Sequence, residues 1–335
     1  MDTLHTSQDA RRNLLRLLAA SAASFGIFSP LALIPPAQAA TKNVAEEPLQ
    51  QLRIGYQKSA VNLVIAKQLG WLEKRFPGTK LSWLEFPAGP QLLEALSAGS
   101  LEFGLTGDSP PVFAQAAGAA IVYAAGQPIT NGQGILVPQN SAIRSIADLR
   151  GKRVGFTKGS SAHNTTVATL EKAGLTYADI TPVYLTPPDA GPAFANGSID
   201  AWTIWDPYFA IGEIRQNGRI LINASEVTKS NSFYIANRDF ARNHGPILQQ
   251  IIDVTSSAAK WAEAHREDVA KSLSAVTGIP LDIQTIAANR SAFAVGPITE
   301  DIMATQQGVA DRFFKLGLIP KQIAVRDIVW RDPQS

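Results

Sequence analysis

Arg53-Ile54-Gly55-Tyr56-Gln57-Lys58 recurs one hundred residues later as Arg153-Val154-Gly155-Phe156-Thr157-Lys158, and this echo decides the fold. Each copy reads as a short apolar strand that runs through Ser59 or Ser160 into residues at helical spacing. These are Val61, Val64, Ile65, Leu69 and Leu72 in the first copy, and Val167 and Leu170 in the second, before Gly174 supplies a stop. A second pair keeps nearly the same offset: Gly99-Ser100-Leu101-Glu102 matches Gly197-Ser198-Ile199-Asp200, and Asp108-Ser109-Pro110 matches Asp206-Pro207. Two pairs at offsets of 98 to 100 residues imply an internally duplicated strand–helix plan.

Alternating strand and helix patterns over residues 50–240 give α/β architecture, with a mixed or parallel sheet flanked by helices in each half. The remaining C-terminal part is helix-rich. Residues 247–264 and 302–316 are amphipathic runs, the second ended by Gly317 with Pro320 just beyond. These helices are expected to pack back on the first half. The connections at 127–133 and 223–233 then cross between two lobes as a two-strand hinge, with lobe 1 formed by 40–130 and 234–335 and lobe 2 by 131–233.

The N-terminus carries a targeting pattern: a basic region at Arg11, Arg12 and Arg16, an apolar region over 14–34, and a small-x-small site at Ala37-Gln38-Ala39. It reads as a signal peptide over 1–39, because Ser, Gly and Pro interrupt the run before the roughly 20 apolar residues a membrane span needs. Arg11-Arg12 also resembles a twin-arginine signal, so both export routes stay open. The chain has no cysteine, which excludes a disulfide, a thiolate metal site and a lipoprotein anchor. Cleavage after Ala39 leaves 27 basic and 26 acidic residues, and no basic block interleaved with aromatics marks a nucleic-acid partner. A periplasmic monomer is the expectation.

In open α/β sheets ligands sit at the carboxyl ends of strands, where the following helix presents unpaired N–H groups and partial positive charge. Four turns qualify: 57–59, 107–109, 159–163 and 205–207. Their candidates are Gln57, Ser59, Gly107, Asp108, Ser109, Gly159, Ser160 and Ser161, each of the serines and Asp108 reading equally as an ordinary helix cap. Gly159-Ser160-Ser161 leaves the backbone open and adds two hydroxyls, a combination suited to a tetrahedral oxoanion. His163, one turn inside the helix, is placed either to donate to that anion or to be an exposed polar residue. Strand alternation assigns Trp205 to the cleft and Trp202 to packing. Asp206 reads as a cap, since a carboxylate repels a bound anion.

Together these motifs resemble those of the sulfonate-binding proteins of ABC importers, within the group of nitrate-, sulfonate- and taurine-binding proteins. The carriers are Ile54-Gly55-Tyr56-Gln57-Lys58, Gly107-Asp108-Ser109-Pro110-Pro111, Leu149-Arg150-Gly151-Lys152, Gly159-Ser160-Ser161-Ala162-His163-Asn164, Ala201 to Tyr208, and Gly317-Leu318-Ile319-Pro320. The resemblance covers most of the chain after residue 39. It implies a two-lobed periplasmic binding fold that closes on its ligand, an alkanesulfonate held by amides and hydroxyls, and a permease and ATPase complex as partners. Gln57, Asp108, Ser109, Ser160, Ser161, His163 and Trp205 are then cleft residues. Arg290 is similar in place to a C-terminal guanidinium that pairs with the anion, or else forms a surface salt bridge. Taurine, nitrate or another small anion, and a sensory role, remain alternatives.

An enzyme finds little support. No Gly-x-Ser-x-Gly elbow, Walker loop or dinucleotide fingerprint occurs, and His5, His163, His244 and His265 are scattered without metal-ligand spacing. Neither a cofactor nor a metal is expected.

Overall fold

The computed structural model describes residues 49–129 and 131–331; the expected export signal at 1–39 lies outside them. The first sheet begins with β1 (Gln51–Tyr56), β2 (Lys80–Glu85), β3 (Phe103–Thr106) and β4 (Ile121–Pro128). Between them run α1 (Val61–Gln68), α2 (Trp71–Arg75), α3 (Gly89–Ser97) and α4 (Ser109–Ala116). The chain then crosses into β5 (Gln133–Pro138), β6 (Arg153–Phe156), β7 (Thr181–Tyr184), β8 (Ala201–Trp205) and β9 (Gly218–Asn223). Here the helices are α5 (Ser161–Lys172), α6 (Pro187–Ala195) and α7 (Tyr208–Arg215). It returns as β10 (Asn231–Asn237) and continues through α8 (Arg238–Asn243), α9 (Gly245–Ala264), α10 (Arg266–Thr277), α11 (Leu281–Arg290) and α12 (Glu300–Lys315).

The two sheets have matching strand orders, β2-β1-β3-β10-β4 and β7-β6-β8-β5-β9. In the first, β1 is parallel to β2 and β3, and β10 lies antiparallel between β3 and β4. In the second, β6 is parallel to β7 and β8, and β5 lies antiparallel between β8 and β9. In each sheet the antiparallel inner strand is the one that has just crossed from the other lobe, so the chain crosses once between β4 and β5 and once between β9 and β10.

The repeated residues earn their recurrence at the base of each sheet. The Arg53 guanidinium pairs with Glu102 and donates to the Gly99 carbonyl at 2.7 Å. Arg153 pairs with Asp200 at 2.8 Å and donates to the Gly197 carbonyl at 2.7 Å. Gly99 and Gly197 both take positive φ, 69° and 75°, which glycine adopts without strain just past a helix end. The duplicated motif is therefore a clamp that fastens the start of β1 or β6 to the loop before β3 or β8.

Apolar side chains cover both faces of the first sheet. Ile54, Phe103 and Tyr234 pack with α1, α9 and α10 on one face, while Leu92, Val112, Phe233 and Phe313 bring α3, α4 and α12 to the other. Each fully buried side chain of this kind contributes roughly 1.5–3 kcal/mol. The C-terminal helices thus return to the first lobe, while α11 also reaches the second, where its Ile283 packs on Ala210 of α7. Among the described residues, no helix is long and apolar enough to cross a membrane.

Candidate functional site

The carboxyl ends of β1, β3 and β8 and the start of α5 converge on a cleft between the sheets. Its cavity is about 110 Å³. Of the residues expected to bind, Gln57, Ser59, Gly107, Ser160, Ser161, Trp205 and Arg290 line it. Asp108, Ser109, Gly159 and His163 are not among the lining residues.

The four strand–helix turns are not equivalent, and the reason is local. At α4, the Asp108 carboxylate itself accepts from the Ser109 hydroxyl at 2.8 Å, and Pro110 and Pro111 supply no N–H to the helix start. At α7, Asp206 Oδ1 accepts from the Ala210 amide at 3.0 Å. Both turns already hold a carboxylate of their own, so neither is an open anion site. The start of α5 differs. Ser160 is its N-cap in extended conformation, and Ser161 and Ala162 occupy the first positions, whose amides have no partner within a helix. Unlike the turns before α4 and α7, this one has no aspartate at or just before the N-cap.

Its hydroxyls are committed elsewhere. Ser160 Oγ donates to the Thr157 carbonyl at 2.7 Å, and Ser161 Oγ donates to Gln133 Oε1 at 2.9 Å. Amides rather than hydroxyl protons are thus the donors α5 offers, with the serine oxygens as acceptors. Gly107 lets this helix approach: a Cβ there would stand 2.8 Å from the Ser161 Cβ, closer than real side chains come. Gln57 Nε2 donates to the Leu105 carbonyl at 3.0 Å, which fixes that side chain at the cleft wall.

Asp108 lies behind the cleft wall. It is fully buried and accepts from Asn164 Nδ2 at 2.7 Å and Ser230 Oγ at 3.0 Å, joining the α4 turn, α5 and the returning hinge segment. Asn164 in turn accepts from Arg312 Nη1 at 2.7 Å. Burial pushes the Asp108 carboxyl up, against the pull of its hydrogen bonds to Ser109, Asn164 and Ser230. Its hydrogen bonds to Asn164 and Ser230 fasten the lobes. Ser109, also fully buried, serves the same carboxylate.

His163 is not the exposed polar residue that was its alternative reading. Its ring is fully buried among Phe113 and Phe313 of the first lobe and Phe156 and Tyr177 of the second, with centroids 5.0 to 6.1 Å away. Nδ1 accepts from the Gly159 amide at 3.2 Å, so the neutral ring carries its proton on Nε2. Burial, helped by the Lys158 charge, lowers its pKa to about 4. At φ 73° Gly159 makes the left-handed turn that brings its amide to this imidazole.

The cleft charges come from residues the sequence read less clearly. Lys58, adjacent to Gln57, lines the cavity and pairs with Glu85 at 3.3 Å while donating to the Thr277 carbonyl at 2.6 Å. Arg290, at the end of α11, donates to Glu213 of α7 at 2.5 Å, lies 3.7 Å from Asp206 Oδ1 and covers the Phe209 ring at 5.3 Å. It therefore bridges the lobes and faces the cleft at once. Asp206 is a lining residue as well as a cap. Burial pushes its carboxyl up to about 7, with Arg290 opposing, and its Oδ2 is buried without a hydrogen-bond partner among the described residues. Thr106 Oγ1 and Gln284 Oε1, also lining, are buried in the same condition. Lys58 sits inside the duplicated motif and was legible there; Thr106 and Gln284 belong to no motif.

Comparison with known proteins agrees with this fold. The alkanesulfonate-binding protein SsuA from Xanthomonas axonopodis pv. citri, solved bound to MOPS, superposes with a TM-score of 0.82 at 44% identity over 85% of this chain and 99% of its own. The periplasmic aliphatic sulphonate binding protein SsuA from Escherichia coli gives a TM-score of 0.78 at 41% identity over 85% and 94%. The desulfurization enzyme DSZB shares the fold alone, at 18% identity over 84% and 96% with a TM-score of 0.62. The family model described as NMT1/THI5 like matches residues 57–269. The chain belongs to the NMT1/THI5-like family.

Proposed function

We propose that this chain is the periplasmic binding component of an ABC importer, taking an aliphatic sulfonate between its lobes and delivering it to a membrane permease driven by an ATPase. The observation that carries the reading is the start of α5. There, unpaired amides and a glycine-permitted close approach meet in a cleft whose lining also includes the cations Lys58 and Arg290. The likeness to two alkanesulfonate-binding proteins at more than 40% identity supports the ligand class. The basic, apolar and small-x-small pattern over residues 1–39 supports export.

Binding without catalysis suits the same geometry. The Ser160 and Ser161 hydroxyls are bonded to a carbonyl and an amide oxygen, and His163 is turned into its aromatic surroundings, so neither of these serines has an imidazole to take its proton.

The test is thermal unfolding of the chain from residue 40 with alkanesulfonates of increasing length, taurine, nitrate, sulfate, phosphonates and pyrimidines. A ligand present at about 100 times its Kd stabilises by roughly 2.7 kcal/mol, and sulfonates should do so without product formation. Stabilisation by nitrate or pyrimidines alone rejects the assignment; product formation rejects a pure binding role.

A further inference from the structure

A carboxyl group borders a cleft that is otherwise suited to an anion. Among the described residues that line it, the charged side chains are Lys58, Asp206 and Arg290. Asp206 is 8% exposed, and its two oxygens are in different situations. Oδ1 accepts from the Ala210 amide at 3.0 Å and lies 3.7 Å from Arg290. Oδ2 has no hydrogen-bond partner among the described residues and lies against Gly132, where a Cβ would stand 3.1 Å from it. The backbone holds this carboxyl beside the start of α5. The Asp206 amide donates to the Gly132 carbonyl at 2.7 Å, and the next residue, Gln133, accepts from the Ser161 hydroxyl at 2.9 Å.

The balance of charge decides what an anion meets there. Arg290 donates to Glu213 of α7 at 2.5 Å, so one guanidinium faces two acids. From the first lobe, Lys58 is matched by Glu85 at 3.3 Å. With every acid ionised these five groups carry one net negative charge, and a bound monoanion makes it two. At an effective dielectric constant of about 20, like charges about 4 Å apart weaken binding by roughly a thousand-fold. A proton on Oδ2 removes that repulsion and turns an unused acceptor into a donor.

We propose that binding of the anion draws one proton from solvent onto Asp206 Oδ2, which then donates into the cleft, so that the chain captures an anion and a proton together. The proposal rests on the anion-binding reading of the cleft and adds a proton to it. Burial already pushes this carboxyl up to about 7, with Arg290 opposing and Glu213 assisting. The protonated form is therefore present well below about pH 7 and is lost as pH rises through that value.

Ethanesulfonate, hexanesulfonate and nitrate stay ionised across the neutral range, so a proton taken up on binding belongs to the protein. In weakly buffered potassium chloride, an anion that binds should take up most of one proton per site at about pH 8 and almost none at about pH 6, read by a pH electrode. Its affinity, by calorimetry in buffers free of sulfonate groups, should be ~10-fold weaker at about pH 8 than at about pH 6. Asp206→Asn, with folding checked by circular dichroism, should abolish both the uptake and the pH dependence. Glu213→Gln removes a charge that raises Asp206, so the fall in affinity should begin at lower pH, a shift that lost packing alone does not produce. No uptake by the unmodified protein, or an unaltered pH profile in Asp206→Asn, overturns the proposal. Proton-coupled binding of nitrate alone rejects the sulfonate reading and leaves the coupling standing, whereas sulfonate binding without uptake does the reverse. Binding of none of the three rejects both.

Discussion

Replacing His163 by Phe should change how acid acts on this protein. The imidazole is fully buried between the lobes, and burial lowers its pKa from an ordinary 6.5 to about 4. Between those values the unfolded chain binds a proton that the folded chain refuses. Stability contributed by the neutral ring is therefore complete above the unfolded value and is lost as pH falls toward the folded one. One proton of difference amounts to about 1.4 kcal/mol per pH unit, so His163 accounts for about 2 kcal/mol of loss from about pH 6.5 to about pH 4.5. Phe fits the surroundings of Phe113, Phe156 and Phe313 and cannot titrate. It leaves the Gly159 amide without its acceptor, which costs about 1–3 kcal/mol at every pH. Urea unfolding at the two pH values, done on both proteins, isolates the difference of slopes from that constant offset. An unchanged slope would refute the buried neutral imidazole.

Asp206 acts with the opposite sign. Its carboxyl, raised to about 7, keeps a proton that the unfolded chain has released, so stability falls as pH rises from about 4 to about 7, by roughly 3 kcal/mol. Asp206→Asn should remove that fall and expose the rise due to His163; a variant with the parent pH profile counts against the raised carboxyl. Asp108→Ala strands the buried donors of Asn164 and Ser230 and should destabilise by about 2–4 kcal/mol, with Asp108→Asn milder, by urea unfolding at neutral pH. A loss under about 1 kcal/mol would show that water replaces the carboxylate there.

The repeat was readable because it records an architecture. Arg53 and Arg153 recur with Glu102 and Asp200 since each lobe needs the same clamp, and a clamp between fixed residue types leaves a trace in the chain. The convergence of the 57–59 and 159–161 turns was readable for the same reason: strand-to-helix junctions in an α/β sheet all end on one side. What each side chain does at those junctions was not. Asp108 and Asp206 occupy equivalent places, yet one is drawn into a contact between lobes by Asn164 and Ser230 and the other borders the cleft beside Arg290. Those partners lie tens of residues away, and their arrangement depends on how the lobes meet. His163 shows the same limit, since its setting is made by Phe113 and Phe313 from elements the local pattern does not mention.

The position of β10 also bears on how the chain reaches this shape. The second sheet is complete within residues 133–223, a continuous piece, whereas the first waits for residues 231–237 to slip between β3 and β4. Emerging from the ribosome, the N-terminal half has β3 open on one edge and β4 unpaired until some hundred residues more have appeared. Its closure is a long-range, entropically late event. The later-made lobe is thus the one equipped to form first, and whatever guards the chain during passage must shelter the earlier one meanwhile.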